Sequence, residues 1–360
     1  MPEDIATPPA PAERYSSNVV SIQRGSELDA LKKLSTLVYD TKYAANEMAE
    51  LGPQAATVSP SVLLHFISEN HGSDMGSVEG AMVYEACKIE NVADSTEESR
   101  TDCVLDKAFV NLAAMMADRV PGVVSVEVIE NRLAANDAES ICAKARRMRD
   151  MLLELDVDIA NRILFKIPCT WEGIQAVGQL EDEGIKCHVT QVYCLEQAAA
   201  AARAGASLVQ VYVGRVRTWY QKHPIAAVHN NLGDAPDTGI ELVKQISALI
   251  RAENLHTKTI AASVKNKKDA VALAGCDYIL LNDRVIANLN SVNVVGAFTN
   301  TFQSSGSAPF VKPITKESFT HALKNSPGLE ELTHALSANA AADAKLKEFI
   351  ATSISSGVGQ

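Results

Sequence analysis

No CxxC pair occurs among the seven cysteines, at positions 87, 103, 142, 169, 187, 194 and 276, and none has a metal-like spacing to histidine. They do not make the even framework of a small secreted domain, so they read as reduced, mostly buried thiols. Basic charge is also short. With 33 Lys and Arg against 44 Asp and Glu, the net charge is -11. That balance repels nucleic acid and anionic membrane surfaces, and an anionic ligand would need a local cluster of Arg and Lys. No uninterrupted apolar run reaches about 18 residues, which argues against a membrane span. The amino-terminal stretch MPEDIATPPAPAERYSSN lacks the basic and apolar regions of a secretory signal. Rich in Pro and Ala, residues 1–24 read as a disordered tail, and the expected location is cytoplasmic.

The sequence further lacks a GxGxxG after any candidate strand, a GxxxxGKS or GxxxxGKT loop and a GxSxG elbow. Nucleotide-binding open sheets and serine hydrolases thereby lose their usual support. The eight histidines show neither HxxxH nor HxH spacing, so no metal is expected. His223 and His229 fall in an expected loop, and Trp171 and Trp219 read as covers on apolar surface.

What is present is a globular mix, 47% hydrophobic and 21% charged, with ample material for a core. From Leu37 onward, short β-branched runs alternate with helical patterns. The candidate strands are Leu37–Asp40, Ala56–Ser59, Gly122–Val128, Ile163–Ile167, Lys186–Tyr193, Leu208–Val213, Thr257–Val264 and Tyr278–Asn282. Helical spacing marks Asp137–Leu155, Thr170–Glu183, Glu196–Ala204, Gly239–Glu253 and Lys267–Ala274. Gly184, Gly205 and Gly275 sit where helices should end. Alternation of this kind predicts a parallel sheet, and eight strands predict its closure. The fold class is therefore α/β, a (β/α)8 TIM barrel with extra amino- and carboxyl-terminal helices. Glu27 to Leu34 supplies the first of these, and Lys316–Lys324 and Gly328–Ile350 the last, over the barrel's outside or its mouth. Residues 25–360 read as a single domain.

Catalytic groups of such barrels sit where strands end, because the strand-to-helix loops share one concave face there. Polar residues at those ends are Asp40, Ser59, Glu127, Lys166, His188 with Thr190, Gln210 with Tyr212, and Ser263 with Lys265. Lys166 lies inside the apolar run ILFKIP. Burial there disfavours the ammonium and favours the neutral amine that attacks a carbonyl to form an imine. It reads equally as a lysine paired with a barrel carboxylate. Glu127 and Asp40 offer the proton handling that imine chemistry needs, or else an ion-pair network. Arg215, after Gly214, reads as a phosphate ligand with Lys265 and Ser263 beside it, or as a surface ion pair.

At KIPCTWEGIQAVGQLEDEGIKCHVTQVY and AAAAARAGASLVQVYVGRVRTWYQ the sequence closely resembles the transaldolase family, and LVYDT, PGVVSVEV and LAGCDYILL extend the similarity from about Leu31 to the end. The resemblance implies that Lys166 forms a Schiff base with a ketose phosphate and keeps a dihydroxyacetone unit as an enamine. That unit would pass to an aldose phosphate, as in the reversible conversion of fructose 6-phosphate and erythrose 4-phosphate within the pentose phosphate pathway. No cofactor is implied. Asp40 would take the proton from the donor's C4 hydroxyl, and Glu127 would work through a water held by Thr190. Arg215, Ser263 and Lys265 would hold the phosphate. A homodimer is common in the resembling family.

Several positions depart from it. The family's ATTNPS is ATVSPS here, so Ser59 replaces an Asn that would bind the donor's hydroxyls. NLT is replaced by His188, Val189 and Thr190, SPFVGR by QVYVGR, and a second phosphate-binding Arg by Lys265. Ser59, His188, Gln210 and Tyr212 thus form an altered substrate-binding shell. Tyr212 matches the tyrosine of related fructose-6-phosphate aldolases, where transaldolases carry Phe. Three functions follow: a transaldolase, a relative with altered aldolase or lyase specificity in specialised metabolism, and an inactive barrel used for binding.

Overall fold

A computed structural model describes residues 19–22, 25–39, 52–61, 63–64, 97–128, 137–291, 296–302 and 308–355. Strand β1 (Val19–Ile22) precedes the eight strands β2 (Thr36–Tyr39), β3 (Ala55–Val58), β4 (Val124–Glu127), β5 (Ile163–Pro168), β6 (Cys187–Val192), β7 (Leu208–Tyr212), β8 (Lys258–Ala262) and β9 (Tyr278–Leu281). These eight are all parallel. Each pairs with the next, and β9 pairs with β2 from Thr36↔Tyr278 to Tyr39↔Leu281, which closes the barrel. The expected (β/α)8 architecture is present, and every expected strand lies within two residues of an observed one. One expectation is corrected. Residues 19–22, assigned to the tail, form a strand that pairs antiparallel with β10 (Gly296–Thr299), Val19 opposite Thr299.

The helices start and stop for local reasons. Asp137 accepts from the Glu139 amide at the head of α3 (Ala138–Leu155), and Thr170 from the Gly173 amide at the head of α5 (Trp171–Asp182). Each cap satisfies an amide that the first helical turn leaves open. The earlier helices are α1 (Glu27–Lys32) and α2 (Glu97–Ala117), and α4 (Val157–Asn161) follows α3. Gly184, Gly205 and Gly275 have φ of 79°, 91° and 101°, the left-handed turn by which a chain leaves a helix. Further on come α6 (Leu195–Arg203), α7 (Val213–Lys222), α8 (Pro224–His229), α9 (Thr238–Ala252), α10 (Lys267–Ala272) and α11 (Asp283–Asn290). Of the loop expected around His223 and His229, His223 is the non-helical junction after α7, while His229 belongs to the helix α8, which Pro224 opens at its first position, where no amide hydrogen is needed.

Among the described residues, buried apolar side chains form two bodies. The larger lies between the barrel's outer face and its helices. The smaller, Val38, Ala55, Leu164, Leu208 and Ile260, fills the interior near the strands' amino-terminal ends. Full burial of each Leu contributes about 2 kcal/mol, so this floor holds the barrel independently of what stands above it. Alternate residues of a strand point the same way. Two positions beyond Leu164 and Leu208 the interior therefore receives Lys166 and Gln210, and two beyond Gln210 comes Tyr212.

The carboxyl-terminal helices α12 (Lys316–Lys324) and α13 (Gly328–Ser355) complete the chain. Phe319 of α12 packs on Trp171, ring centroids 5.7 Å apart. Helix α13 crosses the mouth of the barrel: Glu330 accepts from Trp219 Nε1 at 3.0 Å, and Asn339 reaches Glu127. Among the described residues no helix is long and apolar enough to cross a membrane.

Candidate active site

Glu127 and Lys166 are partners across the β4–β5 pair, so their side chains emerge at one height inside the barrel. Lys166 Nζ stands 2.8 Å from Glu127 Oε2, with the two side chains 7% and 3% exposed. Asn339 Nδ2 donates to the other carboxylate oxygen at 3.1 Å. Both oxygens are thus held, one by the amine and one by a helix 212 residues further along the chain. A primary amine and a proton acceptor in contact, shielded from water, form a pair suited to carbonyl addition.

His188 is the cross-strand partner of Lys166 on the other side. Its Nδ1 lies 2.8 Å from Ser125 Oγ, while Nε2 has no well-aligned partner although the Gln210 amide is near. Burial holds this imidazole well below the ordinary 6.5, the Lys166 charge adds to the effect, and Gln210 works against it. The native His188 is therefore neutral where an unfolded histidine, titrating near 6.5, takes up a proton. Stability from this group is fully present above about pH 6.5 and declines as pH falls, by up to about 1.4 kcal/mol per pH unit, until the native imidazole itself protonates. His188→Asn should flatten that decline. Urea unfolding midpoints at about pH 7.5 and about pH 5 measure it, and an equal loss in both proteins would refute the assignment.

Around Lys166 the opposite wall is phenolic. Tyr212 OH lies 3.0 Å from Thr190 Oγ1 and accepts from Gln191 Nε2 at 3.2 Å. Burial pushes the Tyr212 phenol upward, so it stays protonated. The Arg215 guanidinium sits over the Tyr212 ring, 5.1 Å from its centroid, and forms an ion pair with Glu331 of α13 at 3.4 Å.

Gly214 brings the expected anion ligands together. Its amide donates to Ser263 O at 3.2 Å, and a Cβ there would meet that oxygen at 2.6 Å and Lys265 Cε at 2.7 Å. Only glycine lets α7 begin this close to the loop after β8. Ser263 and Lys265 therefore stand beside the first turn that carries Arg215. Ser59 follows β3 directly, where Val58 pairs with Val126, and shares a hydrogen with Ser61 Oγ at 3.0 Å. It stands on the same rim as Glu127. Asp40 lies outside the described residues. The structure thus gathers Glu127, Lys166, His188, Thr190, Gln210, Tyr212, Arg215, Ser263 and Lys265 at one end of the barrel. Sequence reasoning missed Ser125, Gln191, Tyr193, Glu331 and Asn339. Among the described residues no group of three or more His, Cys, Asp or Glu side chains is placed to hold a metal ion.

A closed parallel barrel with a buried lysine–carboxylate pair at the carboxyl-terminal ends of its strands defines a class of enzymes. The model of the Transaldolase/Fructose-6-phosphate aldolase family matches residues 46–348. Transaldolase A of Salmonella typhimurium is 32% identical over 266 residues, covering 73% of this chain and 79% of the relative. Transaldolase 2 of Salmonella choleraesuis and Transaldolase A of Salmonella typhi match over the same span with the same identity. The chain belongs to the transaldolase/fructose-6-phosphate aldolase family, and it is an enzyme of the transaldolase and aldolase kind.

Proposed function

We propose that this chain is a transaldolase that moves a dihydroxyacetone unit from a ketose phosphate to an aldose phosphate through a Schiff base on Lys166. The contact between buried Lys166 and Glu127, 2.8 Å apart, carries the reading. The Lys166 amine adds to the donor's carbonyl while Glu127 takes its proton. The carbinolamine then loses water, with Glu127 returning a proton through a water held by Thr190. Asp40, in the role the family resemblance gives it, removes the proton from the C4 hydroxyl as the C3–C4 bond breaks. An aldose phosphate leaves and an enamine remains, the protonated imine having accepted the electron pair. The enamine attacks the acceptor's aldehyde, and hydrolysis frees the lysine. Arg215, Ser263 and Lys265 hold the phosphate, and Ser59, His188 and Gln210 face the donor's hydroxyls. The reading places the enzyme in the cytoplasm and the pentose phosphate pathway, with residues 25–360 as one domain, no cofactor and a homodimeric assembly.

One observation favours a second outcome. The Tyr212 hydroxyl, 3.0 Å from Thr190 Oγ1, lies where it would orient the water that hydrolyses the imine, which releases dihydroxyacetone instead of transferring it. Borohydride treatment with fructose 6-phosphate, read by intact mass and followed by product analysis with and without erythrose 4-phosphate, separates the two. We expect a dihydroxyacetone adduct and sedoheptulose 7-phosphate formed only with acceptor. Free dihydroxyacetone released without acceptor would make the protein an aldolase. No adduct with any ketose would leave a binding barrel.

A further inference from the structure

Strand β6 is irregular at its mouth end. Its register against β7 shifts between Val189 and Val192, and Gln191 in that bulge has φ of 63°. A glutamine seldom adopts this left-handed conformation without something holding it there. Gln197 of α6, fully buried, braces the bulge from behind: its Nε2 donates to Gln191 O at 3.2 Å and its Oε1 accepts from the Tyr193 amide at 2.8 Å. The bulge turns Thr190 and Gln191 into the same interior, against the alternation of a regular strand. The Gln191 side chain then touches two phenols, donating to Tyr212 and accepting from Tyr193.

The guanidinium of Arg215 sets the direction of the first hydrogen bonds in this chain. A guanidinium donates and never accepts, and Arg215 Nη1 lies 3.4 Å from Tyr193 OH. The single Tyr193 hydrogen is thereby left for Gln191 Oε1, which turns the Gln191 amide nitrogen towards Tyr212. Tyr212 accepts from Gln191, and its own hydrogen has Thr190 Oγ1, 3.0 Å away, as an acceptor. With that direction Thr190 keeps a hydrogen to donate onward, to the water that the Schiff-base reading puts beside Glu127. That water then keeps a hydrogen for Glu127 and a lone pair for the imine carbon. No net proton has to travel along the chain. It acts by orientation.

We propose that Gln191 is a positioning residue that fixes the direction of this hydrogen-bond chain from Arg215 to Thr190, so that a phosphate held by Arg215 orders the water serving Lys166. The inference rests on the Schiff-base reading above. In the free protein Arg215 is shared between Tyr193 and Glu331, at 3.4 Å from each. A donor's phosphate replaces Glu331 and holds the guanidinium where it can feed the chain. Phosphorylated donors therefore gain turnover, and not only affinity, from their phosphate.

The test compares fructose 6-phosphate with fructose in the full-length protein and in Tyr193→Phe, Gln191→Met and Gln191→Glu. The last variant keeps the size of the side chain but accepts from both phenols, which pulls the Tyr212 hydrogen away from Thr190. We expect each to lower kcat for fructose 6-phosphate about tenfold, with KM changed by about twofold or less. Fructose, which leaves Arg215 unengaged, should lose about twofold or less. Equal losses with both donors would mean that Gln191 merely supports the wall, and unchanged turnover of fructose 6-phosphate would also overturn the proposal. Should Gln191→Met fail to fold, Tyr193→Phe, which removes one hydroxyl, reads the same chain. Absence of any trapped adduct on the unaltered protein would overturn the lysine chemistry and the relay with it, whereas a trapped adduct with donor-independent losses overturns the relay alone.

Discussion

Lys166→Met should abolish the borohydride-trapped adduct and lower turnover at least about a thousandfold, because methionine carries no amine to form the imine. The same change should also destabilise the fold. Glu127 is 4% exposed, and without the ammonium 2.8 Å away its carboxylate stays buried, with the Asn339 amide as its remaining partner among the described residues. Removing one member of a buried pair costs about 3–5 kcal/mol. Adding Glu127→Gln in the same chain removes the stranded charge and keeps an acceptor for Asn339. The double variant should therefore recover most of the stability and none of the activity. Urea unfolding with intact-mass analysis distinguishes these outcomes, and an adduct persisting in Lys166→Met would end the assignment of Lys166.

Asp106→Ala should show the opposite pattern, a large loss of stability with turnover per folded molecule retained. Asp106, on α2, is fully buried and takes Lys144 Nζ at 3.0 Å and Arg147 Nε at 2.8 Å, both from α3. It ties two helices on the barrel's outer face. Truncation leaves the buried Lys144 ammonium without this carboxylate, at about 3–5 kcal/mol. For a chain of this size that corresponds to a thermal midpoint lower by on the order of 4–7 °C. Asp106→Leu combined with Lys144→Met, two apolar groups of similar bulk, should restore much of it. A midpoint within about a degree of the unaltered protein in Asp106→Ala would show that the pair contributes no net stability.

The barrel was legible because its strands are short β-branched runs set between helices that stop at Gly184, Gly205 and Gly275, each a local signal. The pairing of β1 with β10 was not. Val19 and Thr299 lie far apart in the chain, and four-residue strands carry too little alternation to announce themselves. In the site, Lys166 and Glu127 stood out as charges inside apolar runs, which is why their contact was foreseeable. Gln191 was hidden by the same reasoning. Regular alternation with Thr190 facing inward sends Gln191 outward, and only the bulge reverses this. Two consecutive polar residues, Thr190 and Gln191, where a strand should alternate, were the available clue. Asn339 and Glu331 lay beyond any such rule, because their helix was placed in sequence without a face. His229 was misplaced for want of weighting Pro224 as a helix start, whereas His223 does lie between two helices.

Helix α13 gives the chemistry a place in the order of synthesis. The cylinder of strands can close once Leu281 has been made, since β9 supplies the last pairing. The second oxygen of Glu127 waits for Asn339, and Arg215 waits for Glu331. A nascent polypeptide therefore has every strand of the barrel and both members of the Lys166–Glu127 pair before it has the residue that braces the carboxylate. The tuned site is the last thing this molecule acquires, and a truncation that spares every strand would still strip the brace from its base.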